Sequence, residues 1–325
     1  MKTELKTNLS KNKTLLLLSF ICLLCGALSC VVGDIFMPGL IGALAALYLF
    51  DDKISRRFSI TVSVILLIIN LAALLFGLTA SLFGLCGIII SLIIAFSFVK
   101  GQSKSDMAYV ITIIYALFTL IGCLLIPMMI EGEFSLDIVS AYYKELHDGL
   151  RTAFIEGMSE FYVASGVEVD PETFAAIFDL QVSLLVAYLL IGGFAVVGLG
   201  TKVFGAIVSK YAEEKKHITE WRFAPTNLYA YFYLILSVAT IFVMNAESAL
   251  SVSVINLYYI FLVIFAYVGF NYSVAMLSMR MKKRTAFILI AVITCVFMSL
   301  APQILAILGV MFTIKSNRLG SDPIQ

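Results

Sequence analysis

The residues that most often do chemistry in proteins are scarce in this sequence, and their spacing forms no catalytic centre. Only two histidines occur, His147 and His217, and 70 residues separate them. Cys22 and Cys25 form a CxxC pair on one helical face, but no His or further Cys accompanies them at metal-ligand spacing. All six cysteines lie in apolar runs, where a free thiol packs as a small apolar side chain. The sequence therefore predicts no catalytic residues, no metal site and no bound cofactor.

A glycine pattern at residues 192–200 does not fit a nucleotide-binding motif either. The residues read GGxxxxGxG inside an apolar run. A phosphate-binding loop instead follows a strand and carries a Lys directly after its last Gly. We expect small residues at helical spacing to form helix–helix contacts, which need close backbone approach in a membrane. The small residues assigned to such contacts are Ala73, Gly77, Ser81, Gly192, Gly193, Gly198 and Gly269.

Polar residues within or beside the apolar runs are the remaining candidates for binding a solute. Polar groups inside a membrane are costly and often functional. Nearly all of those found here are neutral, which argues against a proton-coupled pump and favours a site for a neutral or amphipathic solute. Hydrogen bonding between helices is the alternative role for the asparagines. The residues assigned to the solute site are Asp179, Gln181, Asn256 and Asn271.

Composition indicates the kind of fold that must position these residues. Hydrophobic residues make up 61% of the chain and charged residues 13%, with a mean hydropathy of +1.03. A soluble domain carries about 25% charged residues, so this chain has too little polar surface to cover a soluble fold. The composition predicts an all-α, polytopic bundle of transmembrane helices whose main partner is the lipid bilayer. The net charge of +1 gives no indication of a nucleic-acid partner.

The lengths of the apolar runs predict the number of spans. A helix needs about 20 apolar residues to cross a membrane. The uncharged run 58–99 is twice that length and is expected to fold back near Gly77, whereas the run 285–314 is interrupted by Ala301 and Pro302. We therefore expect about eight spans plus a broken or re-entrant C-terminal pair. The eight are residues 14–32, 35–50, two within 58–99, 108–130, 173–201, 227–244 and 251–278.

Basic residues predict the orientation. Twenty of the 22 Lys and Arg residues lie in six clusters beside the apolar runs, and the other two, Lys144 and Arg151, lie in one acidic loop. Because basic residues concentrate on the cytoplasmic side, both termini are expected in the cytoplasm of a multi-pass cell-membrane protein. The predicted regions are a five-helix membrane region (1–130), an extracytoplasmic acidic loop (131–172), a second membrane region (173–318) and a cytoplasmic tail (319–325).

The acidic loop carries a helical pattern of its own. Its apolar residues recur at spacings of three or four, which predicts one or two amphipathic helices. Such helices either lie on the membrane surface or cover a substrate entrance, and a cation site formed by Glu145, His147 and Asp148 is a third interpretation. The residues that set the pattern are Val139, Tyr142, Leu146, Leu150, Phe154, Met158 and Phe161.

The C-terminal region also resembles a known family. Residues 218–225 carry the single Trp and end in Pro225, and Asn256 precedes a long helix with a central Gly269. After that helix come a basic turn, Pro302, Gly309 and Arg318. This order, over about residues 173–318, resembles the YybS-like family of bacterial membrane proteins. The resemblance implies a distant relation to the S components of energy-coupling-factor transporters, which capture small solutes and dock on an ATPase and coupling module.

Two functions follow from these expectations. The first is a solute-binding or transport subunit that resembles an S component. The second is a membrane scaffold or regulator that acts through helix contacts, without transport. Neither function involves an enzymatic step.

Overall fold

The computed structural model describes residues 2–49, 53–167, 169–211, 223–243, 248–298 and 300–319. Every regular element in these residues is helical, as the composition predicted. The chain divides into two compact units, one formed by Met1–Phe178 and Gly192–Arg222 and the other by Asp179–Ile191 and Phe223–Gln325. The α-helices are α1 Lys2–Val32, α2 Met37–Leu49, α3 Lys53–Leu75, α4 Ser81–Val99, α5 Lys104–Glu131, α6 Leu136–Ala164, α7 Pro171–Ser183, α8 Leu185–Tyr211, α9 Asn227–Val243, α10 Ala249–Ser278, α11 Lys283–Val296 and α12 Ala301–Leu319.

Among the described residues, six helical segments are long and apolar enough to cross a membrane, which indicates a multi-pass membrane protein. The expected count of about eight differs for two reasons. The first two expected spans fall within one candidate segment of 37 residues, because α1 and α2 are separated only by the 3-10 turn at Gly33–Phe36, where the chain folds back. The helix α9 has 17 residues, about 26 Å, and is shorter than a comfortable span. The six candidates are Lys13–Leu49, Arg56–Leu75, Ser81–Val99, Lys104–Glu131, Leu185–Ser209 and Ala249–Ser278.

Two helical hairpins open the first unit, and a glycine makes each turn possible. Gly33 and Gly77 have φ values of +80° and +83°, a left-handed conformation that glycine adopts without steric cost. The fold-back expected near Gly77 is therefore confirmed. The hairpins pack together around Asn70, which is fully buried. Its Nδ2 donates to the Leu66 carbonyl (2.8 Å), and its Oδ1 accepts from the Cys30 thiol (3.2 Å).

The second unit is built on the crossing of α10 and α12. A Cβ added at Gly269 would overlap the carbonyl oxygen of Leu305, and one added at Gly309 would overlap that of Phe265. The two backbones are therefore in direct contact, which only glycine at both positions permits. A core that includes Tyr233, Phe265 and Val310 surrounds the crossing. The predicted interruption of the last run is also confirmed, because α11 ends at Val296 and α12 begins at Ala301.

Candidate functional site

The helix predicted for residues 173–201 is in fact two helices, separated at Leu184. The first of them, α7, begins at Pro171, where the Asp170 carboxylate accepts the Glu172 N–H (3.0 Å). The break was not expected, and it interrupts the helical hydrogen bonding of the backbone. In a continuous helix the Ala187 N–H would donate to the Ser183 carbonyl. Here both groups bond to a side chain of α10 instead.

That side chain is Asn256, whose amide bridges the break. Its Oδ1 accepts the Ala187 N–H (2.8 Å), and its Nδ2 donates to the Ser183 carbonyl (2.7 Å). The second Nδ2 hydrogen goes to the Val252 carbonyl of its own helix (2.8 Å). Asn256 is only 6% exposed, and Ala187 is fully buried. The amide therefore replaces the missing helical bond and fixes the break where water cannot reach it.

The break lies near one end of a candidate span. Leu184 is 18 residues before Lys202, about 27 Å along a helix at 1.5 Å per residue. The hydrocarbon core of a bilayer is about 30 Å thick. A basic residue at one boundary thus places the break close to the opposite boundary.

The four residues predicted to bind a solute do not form one site. Asn256 is buried with both amide hydrogens engaged. Asp179 and Gln181 are exposed near the end of α7, and the Gln181 side chain accepts a hydrogen bond from the Tyr188 hydroxyl. Asn271 is exposed, bonds to its own helix through Tyr267 (2.8 Å), and lies 15 residues, about 22 Å, from Asn256. One small solute cannot touch both asparagines, so the structure does not bring the four residues together, and their binding of a solute stays a prediction.

A carboxylate deep in the apolar region was overlooked as a site residue. The Tyr115 hydroxyl donates to Asp34 Oδ2 (2.8 Å), and Tyr115 is 5% exposed. Tyr115 lies eleven residues, about 17 Å, from Lys104 and sixteen residues, about 24 Å, from Glu131 at the far end of α5. Within the described chain no basic side chain pairs with Asp34. An intramembrane acid of this kind is a functional candidate by default.

The glycines of α8 pack against the same region. A Cβ at Gly193 would lie 2.9 Å from the Tyr115 ring and 3.3 Å from the Thr112 carbonyl, so α5 and α8 approach closely there. A Cβ at Gly192 would lie 4.0 Å from the same ring, in ordinary van der Waals contact. This contact and the aromatic ring of Phe83, whose centroid is 6.0 Å from that of Tyr115, hold the tyrosine that binds Asp34.

Of the other residues predicted to pack between helices, some are buried and some meet no neighbouring helix. Ser81 is fully buried at the start of α4, and Ala73 is half-buried in α3. Two assignments are wrong, because a Cβ at Gly77 or Gly198 would meet nothing within 4 Å. Gly77 serves the turn instead, and spacing alone could not show which face of α8 its partner helices cover.

The acidic loop folds as one long helix, α6, with α7 beside it. Two tilted pairs of aromatic rings pack where α6 meets α7, with centroids 5.4 Å apart for Tyr162 and Phe174 and 5.7 Å apart for Phe154 and Phe178. Glu145 and His147 lie about 160° apart around α6, since each residue turns about 100°. Therefore they cannot join Asp148 around one cation, and the described residues contain no cluster of three metal-binding side chains.

Tyr143 ties α6 to α5. Its hydroxyl donates to the Cys123 carbonyl (2.7 Å), and burial raises the pKa of Tyr143 above its ordinary value. The hydroxyl thus remains protonated and stays a donor over the physiological pH range. Comparison of the chain with protein-family models, with curated proteins and with solved structures gives no match.

Proposed function

We propose that the protein is a membrane subunit that binds a small solute for transport, related to the YybS-like family and distantly to S components. The observation that carries this proposal is the break between α7 and α8, bridged by Asn256. Broken helices form the solute sites of many transporters, because irregular backbone at membrane depth is tolerated only where protein or a cavity satisfies it. This chain has such a break, and the buried amide of Asn256 forms hydrogen bonds with its backbone groups.

The Asp34–Tyr115 pair supports the same proposal. Asp34 is a half-buried carboxylate among apolar helices, and ionisable groups in such surroundings are costly and usually functional. The pair is therefore a candidate polar contact within the first unit. The proposal includes no catalytic step and no cofactor.

Orientation is part of the proposal. With 20 of 22 basic residues in clusters beside the apolar runs, we place both termini in the cytoplasm of a cell-membrane protein and α6 outside. A reporter fused near Asp148 is then active only if it functions outside the cytoplasm. Activity of a cytoplasm-dependent reporter at that position would contradict this orientation and indicate the opposite one.

Purification from native membranes tests the function. A transport subunit is expected to retain a small molecule in native mass spectrometry and to co-purify with an ATPase and a coupling subunit. Asn256→Leu should lose the retained molecule, while Asn271→Leu, a change of the same size on the same helix, should keep it. The variants must be compared at equal folded fraction, because Asn256 also stabilises the fold.

A scaffold or regulator acting through helix contacts is the second candidate. It is favoured by the finding that both Nδ2 hydrogens of Asn256 are engaged with backbone, as a purely structural residue would be. Consistent absence of both a retained molecule and an ATPase would refute transport in favour of the scaffold.

A further inference from the structure

The apolar side chains of α6 fall into packed and exposed sets. Val139 and Tyr143 lie on the side that meets α5, and Phe154 packs on α7 through Phe178. Leu150 and Phe161 lie on the same side of the helix, yet they are 53% and 65% exposed. At 100° per residue these apolar positions fall within about 60° of one another. The apolar stripe of α6 is therefore only partly covered by protein.

The hydrogen bond between Tyr143 and Cys123 fixes the height of α6 beside α5. Cys123 lies 19 residues from Lys104, about 28 Å along the helix. That distance matches the thickness of the hydrocarbon core, about 30 Å. If Lys104 lies at one boundary of the hydrocarbon core, Tyr143 holds α6 at the other boundary. The last two turns of α5 then extend beyond the hydrocarbon.

The opposite side of α6 requires water. Glu145, Asp148, Thr152 and Glu156 are all exposed there. A charged side chain inside the hydrocarbon is costly, so the helix cannot continue downward into the membrane. Only an orientation along the surface keeps these groups in water and places Leu150 and Phe161 against lipid.

The helix that holds α6 also carries an exposed apolar surface. On α5, Leu117, Leu120 and Leu124 are exposed at or near the level of Cys123, as expected for side chains in contact with acyl chains. A partner protein or a water-filled entrance would leave this apolar surface interrupted at α6. Lipid covers both parts without a second occupant.

We propose that α6 lies along the membrane surface, with Leu146, Leu150 and Phe161 in the boundary between headgroups and acyl chains of zwitterionic phospholipid. The helix carries five acids and two bases, so it would be repelled by anionic headgroups. Its attachment therefore rests on the apolar stripe rather than on charge. This inference stands apart from the proposed transport function and holds equally for a scaffold.

Tryptophan fluorescence in vesicles of phosphatidylcholine tests the proposal. Trp221 is the only tryptophan, so Trp221→Phe gives a protein without tryptophan fluorescence. Leu150→Trp and Thr152→Trp are then introduced into this variant one at a time. Lipids with brominated acyl chains should quench the residue at 150 several-fold more than the residue at 152, and aqueous acrylamide should show the reverse. Phe161→Trp, eleven residues further along, should behave as position 150 does.

Three results would overturn the proposal. Equal quenching at positions 150 and 152 by brominated lipid would show that the stripe does not face acyl chains. Stronger acrylamide quenching at 150 than at 152 would show a lid over an aqueous entrance. Stronger lipid quenching after phosphatidylglycerol replaces phosphatidylcholine would contradict attachment without charge.

Discussion

Replacing Asn256 with leucine should destabilise the fold through the break in α7–α8. Leucine matches asparagine closely in shape and provides neither a donor nor an acceptor. The change removes the partners of the Ala187 N–H, which is fully buried, and of the Ser183 carbonyl, which is half-buried. The bond to Val252 matters less, because that carbonyl keeps its own helical partner.

The expected cost follows from those two groups. A buried polar group left without a partner costs about 1–3 kcal/mol. Hydrogen bonds between membrane helices have averaged only about 0.6 kcal/mol, because the groups find new partners. Here a new partner requires the break itself to close, which the packing of α7 and α8 opposes. We therefore expect Asn256→Leu to lower the free energy of unfolding by about 2–4 kcal/mol.

Reversible unfolding by SDS in mixed micelles measures this free energy. Asn271→Leu is the matched control, since Asn271 is exposed and bonds only to its own helix; its effect should stay within about 0.5 kcal/mol. If Asn256→Leu loses no more stability than Asn271→Leu, the bridging amide does not hold the break, and the reasoning fails.

Two further variants test contacts in the two units by the same measurement. Gly269→Ala should destabilise by about 1–3 kcal/mol because its Cβ would overlap a backbone carbonyl. Gly198→Ala is the control: its Cβ would enter open space, so it should stabilise by up to about 1 kcal/mol. Equal effects of the two variants would contradict the close crossing of α10 and α12. Tyr115→Phe should cost about 1.5–3 kcal/mol because a charged acceptor loses its donor, and the cost should shrink in an Asp34→Asn background. An unchanged cost in that background would mean that the pair is not coupled.

The turns and helix ends were predictable because their signals are local. Gly33 and Gly77 interrupt apolar runs that are too long for one span, and each has the left-handed backbone that a glycine turn allows. The start of α7 follows from adjacent residues, a capping Asp170 before Pro171. The amphipathic spacing within residues 131–172 likewise gave α6, because the pattern of a surface helix is contained in its own sequence.

The candidate site was not predictable, because its contacts join distant residues. No Gly or Pro marks the break at Leu184, and the amide that fixes it comes from a helix 69 residues beyond Ala187. Asp34 lies in a turn, and its partner Tyr115 is 81 residues away, so nothing local to either residue indicates the pair. Hydropathy identifies which residues are apolar, but it carries no information on which helix meets which.

The bridging amide also has a consequence for biosynthesis. Asn256 is translated 73 residues after Ser183, and chains grow at about 5–20 residues per second, so about 4–15 s separate the two. During that interval α7 and α8 have left the ribosome while the residue that satisfies their break does not yet exist. The nascent segment must therefore form either a continuous helix that later reopens or a break that water or the insertion machinery satisfies until α10 arrives.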